Sequence, residues 1–171
     1  MSLSQSEGEP QGSEAFHGFQ GHMNQRGSWP SDMLLRELSA WLGLARAAAH
    51  SARVQAVLLV LQQDLQQMIE QPVASPAWDL SSFVAERLRW LEQTQETMEQ
   101  ERHARGFPEF PGDTVSGAIL DLLSIVARRM GQDLQQERAQ AHAAVHEYLE
   151  RLPALLFTLA RCEEDQADPG R

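Results

Sequence analysis

The chain has 171 residues, 42% of them apolar, and 24 acidic side chains against 14 basic ones give a formal charge of −10. This is enough for one domain with a real core, while so acidic a surface repels phosphate backbones and argues against nucleic-acid binding. Every basic residue is arginine, which excludes a P-loop lysine or a Schiff base, and Cys162, the single cysteine, excludes an intrachain disulfide and fits a reducing compartment.

Residues 1–30 are rich in Gly, Ser, Gln and Glu and almost lack aliphatics. Such a segment cannot bury enough surface to offset its ordering entropy, so a mobile N-terminal tail is expected there. Its opening residues lack the basic and then apolar order of a signal peptide. No stretch in the chain reaches the roughly 18 apolar residues that a membrane span requires. A cytoplasmic protein without membrane contact is the expectation.

Leu, Ala, Gln, Glu and Arg dominate residues 31–164, and these are helix formers. The first helix opens at Ser31 as N-cap and places Leu34, Leu38, Trp41 and Ala45 on one face, with Leu35 and Leu42 beside them. The second runs through "VQAVLLVLQQDLQQMI". The five consecutive apolar residues from Val57 to Leu61 predict a central helix buried nearly all round. "QPVASPAWD" breaks the chain, and a third helix starts near Ser81, with Val84, Leu88, Leu91 and Met98 as core marks.

"RGFPEFPGD" is the next break, and the fourth helix follows in "PGDTVSGAILDLLSIVARRMGQ". At about 100° per residue, Ile119, Leu122, Leu123, Val126 and Met130 share one side. Asp121, Ser124, Arg128, Gln132 and Gln135 share the other, with Arg129 on the flank. Arg128 therefore points to water or to another subunit. The fifth helix carries Val145, Tyr148, Leu149, Leu152, Leu155, Leu156 and Leu159 at i, i+3, i+4, i+7 spacing. Pro153 inside it removes a hydrogen bond and should bend it. The fold expected is all-α, a five-helix antiparallel bundle over 31–164 with a short C-terminal tail at 165–171.

Other constellations carry less. His142, His146 and Glu150 at i, i+4, i+8 have no fourth ligand in view, so no metal site is expected. No feature near Cys162 suggests an activated thiol, and no Ser-His-Asp or Cys-His order has supporting context.

Three segments in order resemble the PduO-type ATP:cob(I)alamin adenosyltransferases. "ELSAWLGLAR" is similar to that family's Asp-Glu-Leu-Asn-Ser-x-x-Gly-Leu-Ala. "PGDTVSGAILDLLSIVARRMGQ" is similar to its Pro-Gly-Gly-Ser through Arg-Thr-x-x-Arg-Arg-x-Glu-Arg. "EYLERLPALLFTLAR" is similar to its Tyr-Leu-Asn-Arg-Leu-Ser-Asp-Leu-Leu-Phe-x-x-Ala-Arg. The resemblance covers about residues 34–162. It implies a homotrimer with sites between subunits and ATP-Mg and cobalamin as ligands. Arg128, Arg129 and Arg151 would bind nucleotide, and Phe107 and Phe110 would bind the corrinoid.

The departures fall on the nucleotide side. Ser124, Gly131 and Gln132 stand where the family has arginine, glutamate and arginine. Arg36 replaces the aspartate that resembles an ion-pair partner of the first of these, and Glu150 and Ala154 replace asparagine and aspartate. Residues 1–30 lack the family's Lys/Thr/Gly-rich triphosphate loop. The resemblance thus implies a divergent family member with a degraded ATP site and impaired catalysis that retains corrinoid or nucleotide binding. An active adenosyltransferase with an altered nucleotide site, or a non-enzymatic adaptor bundle, are the alternatives.

Overall fold

The computed structural model describes residues 30–70, 79–102, 112–136 and 140–167, and Phe107 and Phe110 lie outside them. Five helices carry these residues: α1 Pro30–Ala48, α2 Ala52–Glu70, α3 Leu80–Glu101, α4 Val115–Gln136 and α5 Gln140–Ala167. No strand occurs among the described residues.

The helix starts follow local chemistry. α1 is already helical at Pro30, the first described residue, so Ser31, expected as its cap, lies within the helix. Asp79 caps α3 by accepting from Ser81 N at 3.0 Å. Thr114 caps α4, its hydroxyl oxygen accepting from Gly117 N at 2.9 Å. Gly112, with φ +113°, turns the chain into α4 through a conformation that side chains rarely adopt. α5 continues through Pro153 without a break.

Cross-links between helices fix their directions. Asp64 meets Arg87 while Arg53 meets Glu101, so α2 and α3 are antiparallel. Arg161 meets Asp121 while Gly131 abuts Leu149, so α4 and α5 are antiparallel. Glu92 meets Arg151 and Glu99 meets Thr158, so α3 and α5 run parallel. α5 packs mainly against α4 and α3, and α1 against α2 and α4.

One core joins all five helices. Leu35, Leu38, Leu42, Leu58, Leu61, Leu65, Leu91, Leu120, Leu123, Leu149, Leu152 and Leu156 are among its buried members. Each fully buried leucine contributes about 1.5–3 kcal/mol of transfer free energy. The fifth-helix stripe read from the sequence is buried throughout.

Two expectations fail. α2 is not buried all round, because Leu59 is 41% exposed and the helix packs chiefly on α1. In α4 the inward face is Leu120, Leu123, Ala127, Met130 and Leu134, with Leu122 left 47% exposed. Periodicity counts every apolar residue as inward, but α4 carries more apolar residues than one face holds. The surplus forms an outward strip of Val115, Leu122 and Ile125.

Candidate functional site

Register between α4 and α5 is pinned at three heights. A Cβ on Gly117 would lie 3.1 Å from Glu164, Asp121 pairs with Arg161, and a Cβ on Gly131 would lie 3.6 Å from Leu149. An outward groove therefore runs between two rows. Asp121, Ser124 and Arg128 line the α4 side; Glu150, Ala154, Phe157 and Arg161 line the α5 side.

Arg128 and Arg129 are exposed, in line with the sequence expectation for Arg128. Neither makes a hydrogen bond or ion pair among the described residues, where most arginines are engaged. Arg46 donates to Gln62, and Arg53, Arg87, Arg102, Arg151 and Arg161 face carboxylates. Two adjacent, uncommitted guanidiniums are donors in search of an anion, and their fork geometry suits phosphate oxygens.

Arg151 sits elsewhere. It pairs with Glu92 of α3 at 3.5 Å, about 200° round α5 from Leu149, the residue that meets α4. A single chain thus does not bring Arg151 to the Arg128–Arg129 pair.

Asp121 and Ser124 do not point to water as expected. Both are half-buried. Asp121 bonds Arg161, whose Nη2 also donates to Glu164 at 3.1 Å and whose guanidinium lies 4.9 Å from the Phe157 ring centre. Arg161 is buried to 3% exposure, so one positive charge is shared by two carboxylates at the groove's α4 N-terminal end. Burial pushes the Glu164 carboxyl above the usual range, and Arg161 opposes that rise. Ser124 donates its hydroxyl proton to Asp121 O of its own helix at 2.7 Å.

The glycines of α4 are not equivalent. At Gly117 a Cβ would come within 2.8 Å of Thr114 Oγ1, whereas at Gly131 it would make only ordinary contacts. Gly117→Ala is expected to destabilise by about 1–3 kcal/mol through overpacking. Gly131→Ala is expected to stabilise by about 0.5–1 kcal/mol through helix propensity. Urea denaturation of the two variants checks the opposite signs.

Other polar groups tie the bundle together. Glu163, with no exposure, accepts from His50 N at 2.8 Å, Ser51 N at 3.0 Å and Ser116 Oγ at 2.7 Å. Asp64 accepts from Arg87 at 2.8 Å and from Tyr148 Oη at 3.1 Å, and burial raises its carboxyl pKa against both partners. His146 faces Gly131 and lies 3.4 Å from Glu150, with its Nδ1 buried and unpartnered. No metal-ligand cluster of three residues forms among the described residues.

A separate cleft of about 360 Å³ opens where the starts of α2 and the ends of α3 and α5 meet, lined by Ser51, Arg53, Met98, Arg102, Cys162 and Asp165. Its arginines are ion-paired. Burial pushes the Cys162 thiol up to about 11, which leaves it a poor nucleophile.

Residues 35–163 match the family model described as cobalamin adenosyltransferase, 129 of the 171 residues. No curated protein matches the chain.

Proposed function

The chain belongs to the cobalamin adenosyltransferase family, and on that premise we propose that it is a trimeric member with a reduced nucleotide site. It binds nucleotide through Arg128 and Arg129, keeps corrinoid binding, and transfers adenosyl groups poorly. ATP-Mg and cobalamin are the ligands that the family reading supplies. In that chemistry the nucleotide's adenosyl group moves from triphosphate to reduced cobalt, and cobalamin is the substrate. Phe107 and Phe110 belong to the corrinoid side of this proposal and Arg151 to the nucleotide side.

The observation that carries the reading is the exposed, unpaired Arg128–Arg129 couple on α4. These residues fit one phosphate. They do not make a full triphosphate cage, since Ser124, Gly131 and Gln132 contribute no charge beside them. Each positioned donor missing from a transferring centre costs about 10²–10³ in rate. Arg151, bound to Glu92 of its own subunit, serves the nucleotide only by releasing that partner or by acting across a subunit boundary. The outward strip of Val115, Leu122 and Ile125 supports assembly, because a neighbouring copy that covers it also closes a crevice beside Arg128. A cytoplasmic setting accords with the single thiol, and no described helix is long and apolar enough to cross a membrane.

Absorbance titration of cobalamin under reducing conditions, paired with light scattering of the full chain, tests the proposal. The expected result is a saturable spectral shift and a mass of three chains. A stable monomer with no shift sinks it in favour of a non-enzymatic adaptor.

A further inference from the structure

We propose that the Arg128–Arg129 face recognises a single phosphate group, a small dianion, so that a phosphomonoester binds it as tightly as a triphosphate does. The inference rests on the nucleotide-binding reading above and names the class of ligand that site takes.

Charge supply sets the first limit. Arg128 and Arg129 are exposed, adjacent and without a hydrogen bond or ion pair among the described residues, and the nearest carboxylate on their helix is Asp133, one turn past Arg129. Arg89 donates to its own Ala85 O, and Arg36 lies beside Asp32, whose carboxyl its charge stabilises. Two guanidiniums balance a phosphomonoester, which carries about −1.5 to −2 at neutral pH. A metal-free triphosphate carries roughly four negative charges and needs more donors or a metal.

The groove sets the second limit by bracketing the pair. Asp121 lies two turns before Arg128 on the same row, about 10 Å along the helix. There Asp121, Glu164 and Arg161 sum to one net negative charge, and burial keeps their field strong. At the opposite end Glu150 of α5 is exposed, near the level of Gly131. A chain of phosphates laid along the groove from Arg128 runs toward a carboxylate in either direction. A single phosphate group meets neither.

Ser124, one turn from Arg128, does not relieve this limit. Its proton is committed to Asp121 O, so it offers the anion no donor in this arrangement.

Isothermal titration of the full chain with AMP and with ATP, in EDTA and again with magnesium, tests the inference, with Arg128→Ala as the control. The variant keeps its fold because the side chain lies outside the core. AMP is expected to bind as tightly as ATP, within about threefold, in both buffers, and both are expected to weaken about tenfold or more in Arg128→Ala. ATP binding about tenfold tighter than AMP in either buffer, and lost in the variant, overturns single-phosphate recognition while leaving the nucleotide reading intact. Absence of binding, or binding that Arg128→Ala does not change, overturns the nucleotide reading and this inference with it.

Discussion

Glu163→Ala is expected to cost about 3–5 kcal/mol, the largest stability loss of any single side chain outside the leucine core. The carboxylate is fully buried and serves three donors: two backbone N–H groups at the α1–α2 junction and the Ser116 hydroxyl in the first turn of α4. It thus ties the start of α2 to the start of α4 from a position late in α5. Alanine removes the acceptor from all three, and each group left buried and unsatisfied costs about 1–3 kcal/mol. Glu163→Gln keeps an acceptor oxygen but loses the charge and turns an NH₂ toward other donors. About half the loss is expected. Urea denaturation of both variants checks the ranking, and equal losses would contradict a role that depends on the acceptor.

Arg161→Ala is expected to destabilise by about 3–4 kcal/mol at neutral pH. The guanidinium is the only described cation paired with Asp121 and Glu164, and it is almost wholly buried. Its loss leaves two carboxylates facing each other with no cation between them. The direction of the pH dependence follows from Glu164. Burial already holds its folded pKa above the unfolded value, with Arg161 lowering it. Removing Arg161 raises it further. A carboxyl with a raised folded pKa contributes stability below its unfolded value, near 4, and loses it as pH rises through the folded value. The variant's deficit should therefore shrink as pH falls from 7 toward 4. A deficit that stays constant or grows on acidification would contradict the charge-pair origin. The same variant loosens the Phe157 ring that Arg161 supports, so it disturbs the groove as well as the fold.

The fold was legible because α5 declares itself. Seven apolar residues from Val145 to Leu159 hold helical spacing, and every one is buried. The α4 face was misjudged by a fraction of a turn for a physical reason. Periodicity reports which residues are apolar and cannot tell a core face from an outward strip, so Leu122 was assigned inward. The same limit made α2 look central, when Leu59 is on the surface.

Within the site, the outward aim of Arg128 was readable from 100° steps alone. The partners of Asp121 were not, since Arg161 lies forty residues away and nothing local predicts the pairing. One signal was available and unused. Glu163 continues the Leu152, Leu156, Leu159 stripe by one further step, and Asp64 occupies the same kind of position after Leu61. A carboxylate on a core stripe marks a buried polar tie, because only full hydrogen bonding makes its burial tolerable.

The most direct measurement is adenosylcobalamin formation from ATP-Mg and cobalamin under anaerobic reducing conditions, followed by absorbance over time. A family member that retains only Arg128 and Arg129 of the fourth-helix charges should bind the corrinoid yet form no more than about one equivalent of product per chain, for want of the positioning that transfer requires. Sustained multiple turnovers, lost on Arg128→Ala, would contradict the reduced nucleotide site and establish an active enzyme with a rewired one.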